Sequence, residues 1–341
     1  MAPVTGDGGH FQRKDPPAMT ALHVERCLPA GYLARALRAD ARAGLTASPK
    51  TLPPRWLYDE HGSELFEKIT QLEEYYPTRA ERSILAAVAP QIAAATGAAT
   101  LVELGAGAAD KTRLLLDALR DAGTLRGFVP VDVSEEALIA AAGRVLASYP
   151  GLAVRAVVSD FEEHLGLPDD PGPRLVAFLG STIGNLEPVP RAGFLASVRA
   201  RLHPGDALLL GTDLVKDAGV LRLAYDDPAG VTAAFNKNML AVLNTQLGAN
   251  FEADAFDHVV RWDAGREWIE MRLRSAEQQS VTVPAIGLTV KFAAGEEMRT
   301  EVSAKFRRDG VTAELAAAGF TMRHWWTDAG GQFGLSLSVP A

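Results

Sequence analysis

The sequence contains a single cysteine, Cys27, in 341 residues, and this scarcity limits its chemistry. One thiol cannot form a disulfide within the chain, which is typical of proteins in a reducing compartment. No apolar run is long enough to span a membrane, and residues 1–18 lack the apolar core of a signal peptide. We therefore expect a cytoplasmic protein without membrane contact, and a disordered leader over residues 1–18.

Basic residues are also fewer than acidic residues. The chain has 34 lysines and arginines against 42 aspartates and glutamates, a net charge of -8, and its basic residues form no stripe. Nucleic acid is therefore not expected as the main partner. None of the seven histidines belongs to a set with metal-ligand spacing. No Ser/His/Asp or Cys/His pattern indicates a catalytic nucleophile, so we expect neither a metal nor a covalent intermediate.

Apolar strands and amphipathic helices alternate from about residue 80. The strands are predicted at 100–104, 127–132, 153–158, 174–180 and 206–213. Helices are predicted between them at 110–121, 134–148 and 188–202. This alternation predicts an α/β fold with a Rossmann-like parallel sheet covered on both faces. Right-handed crossovers place the carboxyl ends of all its strands at one edge, where ligands bind.

The alternation is interrupted after Asp213. Residues 215–248 are predicted to be helical, 256–306 to form antiparallel strands, and 311–341 to return to a helix and two strands. We therefore predict two domains. Residues 80–214 and 306–341 form the larger α/β domain, and residues 19–79 and 215–305 form a smaller, discontinuous α+β domain. The site is expected in the cleft between them.

A strand followed by a glycine turn, LVELGAGAADK (101–111), is the strongest local signal. Gly105 lets the backbone approach a nucleotide, Lys111 opens the following helix, and Asp132 ends the next strand, where a carboxylate can hold ribose hydroxyls. Ala108 and Ala109 leave no third glycine for a pyrophosphate. The turn therefore predicts an adenosine cofactor without phosphates, which S-adenosylmethionine (SAM) satisfies, and disfavours an NAD-dependent oxidoreductase.

Asp160 and Phe161 follow the third strand of the alternating region. Asp160 can accept a hydrogen bond from an adenine amino group while the ring of Phe161 packs against the base. Each residue also has an ordinary interpretation, since Asp160 could cap the short segment that follows it and Phe161 could belong to the core.

Four segments together resemble a known enzyme family: 57–85 (LYDEHGSELFEKITQLEEYYPTRAERSIL), ELGAGAADKT, GSTIGN (180–185) and TEVSAKF (300–306). They resemble the EgtD family, the SAM-dependent L-histidine Nα-methyltransferases of ergothioneine biosynthesis. The resemblance covers nearly everything after residue 27. It implies a monomeric class I methyltransferase domain with a substrate domain, and three successive methylations of histidine to hercynine. It also places Lys111 in the cofactor site, where its ammonium could bind the methionine carboxylate.

The resemblance assigns substrate contacts to several polar residues. Glu301 and Ser303 share one face of a strand and match positions that recognise the imidazole. Tyr75 and Tyr225 match tyrosines that hold the substrate carboxylate. Asn185, at the end of GSTIGN, can contact the amine or the carboxylate. In isolation, these would be a solvated strand face, packing tyrosines and a loop cap.

The remaining candidates would line the pocket. Gly180 leaves room beside the fourth strand, and Met271 is a further lining residue that packing alone could also explain. Tyr58 and Phe66 share one side of a helix if 57–69 is helical, and the resemblance places both near the amine. The amine must lose a proton before it attacks, and the acceptor is either water or Tyr58.

Two other functions remain open at this point. A related betaine synthase would use the same lobes for another amino acid, such as tyrosine, although Glu301 and Ser303 favour an imidazole. A SAM-binding sensor without activity would keep the cofactor residues but has no need of the substrate set.

Overall fold

A computed structural model describes residues 22–107, 111–160, 165–167 and 172–341. The strands are β1 His23–Arg26, β2 Lys50–Thr51, β3 Thr100–Leu104, β4 Gly127–Asp132, β5 Ala153–Val158, β6 Arg174–Phe178, β7 Ala207–Asp213, β8 Phe256–Asp263, β9 Trp268–Ser275, β10 Gln279–Val283, β11 Leu288–Phe292, β12 Glu297–Ala304, β13 Phe320–Thr327 and β14 Phe333–Pro340. The helices are α1 Tyr32–Thr46, α2 Glu60–Gln71, α3 Tyr76–Thr96, α4 Thr112–Asp121, α5 Glu135–Ser148, α6 Pro188–Arg201, α7 Ala218–Tyr225, α8 Val231–Leu247 and α9 Arg308–Ala317.

The larger sheet has the order β1-β5-β4-β3-β6-β7-β14-β13 among the described residues. Neighbouring strands pair in parallel along the run β1-β5-β4-β3-β6-β7 of this sheet. In contrast, β14 pairs antiparallel with both β7 and β13. The order reverses at β3, so the crevice beside β3 and β6 lies at a topological switch point. The prediction of a Rossmann-like α/β fold is confirmed.

Helices cover both faces of this sheet, and its central strands are buried throughout. Every residue of β3 and β6 is buried, as expected for strands between two layers. Leucines, alanines and valines of α3, α4 and α5 pack on one face. Apolar residues of α6 and α9 pack on the other. The strand ends are therefore held rigidly, which fixes the loops that follow them.

A second apolar core lies beside the carboxyl edge of the larger sheet. Its sheet has the order β2-β12-β9-β8, and α1, α2, α7 and α8 pack with it and with the β10–β11 hairpin. In β12 and β9 the register brings Glu301 opposite Met271 and Ser303 opposite Ile269. These elements come from both the N-terminal part and the segment after Asp213.

The structure differs from the predicted domain boundaries in two places. Strand β1 lies within 19–79 but pairs in parallel with β5 at the edge of the larger sheet, so it does not belong to the second lobe. Only four residues long and largely exposed, it carries no periodic apolar signal. Helix α3 continues across residue 79, so the boundary falls inside a helix and no linker separates the lobes there.

No helix in the described part of the chain has the combined length and apolar character that crossing a membrane requires. The predicted leader over residues 1–18 lies outside the described residues. The second core faces the carboxyl edge of the larger sheet, and the candidate site lies at that edge.

Candidate active site

The glycine turn follows β3 and lies directly beside the end of β4. Gly105 and Gly107 have φ angles of 70° and 45°, a conformation that favours glycine. The N–H of Gly105 donates to the carbonyl of Val131 at 2.8 Å, and the N–H of Gly107 donates to the carboxylate of Asp132 at 3.4 Å. The structure therefore brings together two residues predicted to bind the cofactor, Gly105 and Asp132.

Lys111 makes an ion pair with Glu81, a residue that sequence reasoning missed. Glu81 is fully buried and also accepts the backbone N–H of Gly180 at 2.8 Å, so it joins the glycine turn to the loop after β6. The sequence does carry a signal for it. Glu81 interrupts the apolar stripe of α3, between Ala80 and Ile84, and a carboxylate buried there requires a partner.

Asp160 follows β5 and is buried against the N-terminal part of the chain. Its carboxylate accepts hydrogen bonds from Arg55 Nη1 at 2.7 Å and from the Tyr32 hydroxyl at 3.0 Å. Arg55 also pairs with Asp40 at 2.6 Å. Phe161 lies outside the described residues, as does the segment that Asp160 could cap. The adenine contact of Asp160 stays a prediction. The structure shows instead that Asp160 is hydrogen-bonded to α1 and to the segment before α2.

Aromatic rings of the second core contact one another in a continuous series. The ring centroids of Tyr58 and Phe66 are 5.4 Å apart, those of Phe66 and Tyr75 are 6.0 Å apart, and those of Tyr75 and Tyr225 are 6.3 Å apart. Edge-to-face packing of this kind orders the rings. The aromatic residues predicted to line the pocket therefore contact one another, although they come from α2, α7 and the segments before α2 and α3.

The condition that 57–69 is a single helix is not met at its start. A short 3-10 helix, Pro54–Leu57, precedes Tyr58, and α2 begins only at Glu60. Asp59 separates the two helices because its side chain accepts the N–H of Gly62 at 2.8 Å, as an N-cap does. Tyr58 thus lies before α2 and reaches Phe66 by tertiary packing.

Glu301 stands out in the second sheet because it is a buried residue whose carboxylate has no partner among the described residues. Its residue exposure is 7%, and it makes no hydrogen bond or ion pair with the described residues. Ser303 lies on the same strand two positions later, and Met271 lies opposite Glu301 with 2% exposure. Burial raises the pKa of the Glu301 carboxyl to about 7, against the lowering effect of Lys305.

A hydrogen-bonded cluster of buried side chains adjoins Glu301. The hydroxyls of Tyr225 and Ser303 are 2.7 Å apart, and Lys305 Nζ donates to them at 2.9 Å and 2.8 Å. Lys305 also pairs with Asp213 at 2.9 Å. Sequence reasoning missed Lys305, although it continues the alternation of Glu301 and Ser303. The hydroxyl of Tyr225, predicted at the substrate carboxylate, lies here beside Ser303.

The loop after β6 supplies the two remaining candidates. Gly180 has a φ of 74°, and a Cβ built on it would lie 3.6 Å from Lys111 Nζ. Asn185 ends the 3-10 helix Thr182–Asn185, is half-buried, and forms no side-chain hydrogen bond within the described residues. Both lie at the carboxyl edge of the larger sheet, between the glycine turn and the second sheet.

Two comparisons with known proteins, by family profile and by individual relatives, agree. The profile of a family described as histidine-specific, SAM-dependent methyltransferases matches residues 37–340. The chain is 59% identical over 318 residues to histidine N-alpha-methyltransferase of Mycolicibacterium smegmatis, covering 93% of this chain and 99% of that protein. It is 58% identical to the protein of the same name from Mycobacterium tuberculosis, over 91% and 96% of the two chains.

A third relative is ergothioneine biosynthesis protein 1 of Schizosaccharomyces pombe, 37% identical over 58% of this chain and 27% of that protein. The profile and the mycobacterial relatives each span most of the chain. The chain belongs to the family of histidine-specific, SAM-dependent methyltransferases. The prediction from the sequence motifs is thus confirmed, and the protein is a SAM-dependent N-methyltransferase.

The residues of this methyltransferase fit the cofactor that its family uses. A Cβ added to Gly107 would meet none of the described residues within 4 Å. Asp132 lies beside this turn with its carboxylate already oriented by Gly107 and Ser134. An aspartate held in this way suits two ribose hydroxyls, and no phosphate-binding helix start is needed. Among the described residues, no group of His, Cys, Asp or Glu is arranged to hold a metal ion.

The tyrosines of the methyltransferase site are neutral acids. Burial raises the pKa of the Tyr58 hydroxyl well above 10, and the nearby Glu301 raises it further. Burial and Tyr225 have the same effect on the pKa of Tyr75. A protonated phenol can accept or donate a hydrogen bond, but it is a weak base. Tyr58 is therefore better suited to orient an amine than to remove its proton.

Proposed function

We propose that this protein is an L-histidine Nα-methyltransferase that transfers three methyl groups in succession from SAM to the α-amine, giving hercynine. This is the first step of ergothioneine biosynthesis. The observation that carries the proposal is the buried, unpartnered carboxylate of Glu301 beside the hydroxyl of Ser303. An unpaired carboxylate is costly to bury, and a ligand N–H at this position would relieve that cost.

The imidazole would lie against β12. Glu301 accepts one ring N–H, Ser303 contacts the other ring nitrogen, and Met271 packs against the ring from β9. An amino acid without these polar ring atoms leaves the buried carboxylate unpaired. Such a mismatch costs about 1–3 kcal/mol for each group, which favours histidine over a tyrosine-type substrate.

The carboxylate and the amine would face the larger sheet. Tyr75 and Asn185 would donate to the carboxylate, with Gly180 leaving space in the loop after β6. Tyr58 and Phe66 line the part of the pocket nearest the amine. The ring and carboxylate contacts do not involve the amine, so the substrate would remain anchored by them after each methylation. This arrangement permits three transfers without release of the anchors.

Catalysis would come mainly from alignment. SAM, when bound, supplies a methyl group on a positively charged sulfur, which an amine lone pair can attack in line. Gly105, Asp132 and Asp160, with Lys111, would fix the cofactor end, while the second sheet fixes the histidine. A neutral amine is required, and a positive sulfur close by lowers the ammonium pKa. We propose that the proton leaves to water and that Tyr58 orients the nitrogen.

Product masses test this function directly. The native protein is incubated with SAM and, in separate reactions, with each of the twenty amino acids. Histidine should gain one, two and then three methyl units with release of S-adenosylhomocysteine. Methylation of another amino acid in preference to histidine would contradict the proposal, and SAM binding without any product would indicate a sensor. The cytoplasmic location and the monomeric state stay predictions.

A further inference from the structure

Strand β12 carries a β-bulge directly before the residues proposed to bind the imidazole. Its register pairs Arg299 with Arg272 and Glu301 with Met271 on β9, which leaves Thr300 as an extra residue. Side chains alternate between the two faces of a strand, so one extra residue moves every later side chain to the opposite face. The bulge at Thr300 therefore decides that Glu301 lies beside Met271, on the side of the second core.

A side chain from α8 fixes the extra residue. Thr300 is fully buried, and its hydroxyl lies within hydrogen-bond reach of Asn236 Oδ1 and of the Met271 carbonyl. The amide nitrogen of Asn236 donates to the carbonyl of Arg272 at 3.1 Å and to His258 Nδ1 at 2.8 Å. Asn236 is itself 0% exposed. It therefore forms the centre of a buried network that begins at the bulge.

His258 on β8 extends this network to α7. Its Nε2 lies 2.9 Å from the backbone carbonyl of Tyr225, the last residue of that helix. A carbonyl can only accept, so Nε2 carries the hydrogen and Nδ1 accepts from Asn236. Burial lowers the pKa of the His258 ring, which favours the neutral form that this assignment requires. Each bond between Thr300 and Tyr225 thus has one possible donor.

Both ends of the network belong to the proposed histidine site. Glu301 follows the bulge directly. The Tyr225 hydroxyl lies 2.7 Å from that of Ser303, and its ring packs edge-to-face against Tyr75. Glu301 is held on a strand and Tyr225 on a helix, so nothing local to either element fixes the distance between them. The network supplies a direct connection between the two backbones.

We propose that Asn236 and His258 are positioning residues, which hold the bulge at Thr300 against the end of α7 and so set the separation of Glu301 and Tyr225 for the bound histidine. The inference rests on the proposed function, because it assumes that the substrate ring binds at Glu301. Asn236 and His258 act through these two residues and not by a substrate contact of their own.

Two alanine substitutions on α8 test this role. Asn236→Ala removes the centre of the network. Asn244→Ala is the matched control, because its amide makes two bonds with the backbone of Phe251, before β8 and outside the network. Both variants should be less stable in urea. Only Asn236→Ala should raise the histidine KM, by about tenfold, with kcat and SAM affinity changed less than about threefold.

A double-mutant cycle with Glu301→Ala shows whether the effect passes through the ring contact. Without the carboxylate, the placement of the bulge matters less to the ring, so adding Asn236→Ala should change the KM less than about threefold. Effects that multiply in full would mean that Asn236 acts independently of Glu301, and would overturn the proposal.

The control separates positioning from general support of the fold. If Asn244→Ala raises the histidine KM as much as Asn236→Ala, or if Asn236→Ala weakens kcat or SAM binding as strongly as histidine binding, the network is only structural. Histidine methylation by the native enzyme is measured in the same series, so a failure of the proposed function would be recognised separately.

His258→Phe breaks the other half of the network. Phenylalanine keeps a planar ring but has neither nitrogen, so the carbonyl of Tyr225 loses its donor. The histidine KM should again rise about tenfold. Combined with Asn236→Ala, it should rise less than about threefold beyond either single variant, since both substitutions break one connection. A combined increase of about a hundredfold would show that the two residues act separately.

Thr300→Val keeps the test valid if Asn236→Ala does not fold. Valine has the shape of threonine but no hydroxyl, so the bond from the bulge to Asn236 is lost while His258 keeps its partners. We expect a KM increase of about tenfold here as well. A folded Thr300→Val enzyme with the native KM for histidine would refute the proposed role.

Discussion

At the scale of single residues, Glu301 differs from its acidic neighbours in the second sheet. Glu270 and Glu297 each face Arg272 within 3.3 Å, and Glu297 also pairs with Arg261. Glu301 has no such partner within the described chain, and its carboxyl pKa is raised to about 7 by burial. A group that is poised near neutral pH changes its capacity to bind an N–H within the physiological range.

This property makes histidine binding dependent on pH through Glu301. Above about pH 7 the carboxylate is ionised and accepts the ring N–H; below it, the protonated carboxyl is a poorer acceptor. Glu301→Gln keeps an acceptor oxygen of similar shape but cannot ionise. At pH 8 its histidine KM should exceed the native value about tenfold, and this ratio should shrink toward one at pH 6.

The ratio of the two KM values is the quantity to measure, across pH 6 to 8 at saturating SAM. Ionisation of the substrate's own ring and amine affects both enzymes equally and cancels in the ratio. A ratio that stays constant with pH would show that Glu301 does not titrate in the free enzyme. Equal KM values at pH 8 would remove Glu301 from the imidazole site.

At the scale of elements, the contact between α3 and β7 determines where Lys111 lies. Glu81 reaches Lys111 only because Gly211 of β7 has no side chain; a Cβ there would lie 2.1 Å from Glu81 Oε1. Glu81 and Gly211 are both buried, so neither α3 nor β7 can shift without disturbing the core. The ion pair at the cofactor edge therefore depends on a glycine in a different strand.

Gly211→Ala should consequently destabilise the fold and weaken SAM binding together. The overpacking is expected to cost about 1–3 kcal/mol of unfolding free energy, and the displaced Glu81 would release Lys111. The measurements are urea unfolding and SAM calorimetry. Gly193→Ala is the matched control, because Gly193 lies on the exposed side of α6 and its added Cβ would have no described neighbour within 4 Å.

The control substitution should change the free energy of unfolding in the opposite direction. Alanine is favoured over glycine inside a helix by about 0.5–1 kcal/mol, so Gly193→Ala should stabilise the protein and leave SAM affinity unchanged. A Gly211→Ala protein as stable as the native one would show that α3 can move away from β7 at little cost.

At the scale of the whole molecule, Arg55 connects the N-terminal part of the second lobe to the cofactor edge. It binds Asp40 on α1 and Asp160 after β5, and Asp160 is only 2% exposed. Such a contact between distant segments holds the two cores in one arrangement. Removing the cation would leave a buried carboxylate with a weaker set of partners.

Arg55→Gln should therefore lower the free energy of unfolding by about 3 kcal/mol, measured by urea denaturation at pH 7. Arg26→Gln provides a matched control. Arg26 also makes a two-pronged contact with a carboxylate, that of Glu135, but the two side chains are 59% and 35% exposed. Exposed pairs of this kind contribute little. Similar losses in both variants would mean that burial of Asp160 is not what makes Arg55 important.

Local patterns in the sequence were sufficient for the central strands of the larger domain. The strands β3, β4 and β5 have the predicted bounds, because buried parallel strands are continuous apolar runs between turn residues. The glycine turn and Asp132 were predicted for the same reason, since both are set by the ends of adjacent strands. The strand β1 and the break before Asp59 were missed, because one is short and exposed and the other depends on a cap.

Patterns along the chain specify the fold class, the glycine turn and the set of residues that mark a histidine methyltransferase. These features depend on neighbours along the chain, which a local pattern records. Only the tertiary structure brought Lys305 onto Tyr225, Glu81 onto Lys111 and Arg55 onto Asp160. These contacts join residues far apart in the chain. A buried charge takes whichever partner the packing brings within reach, and no local pattern specifies that partner.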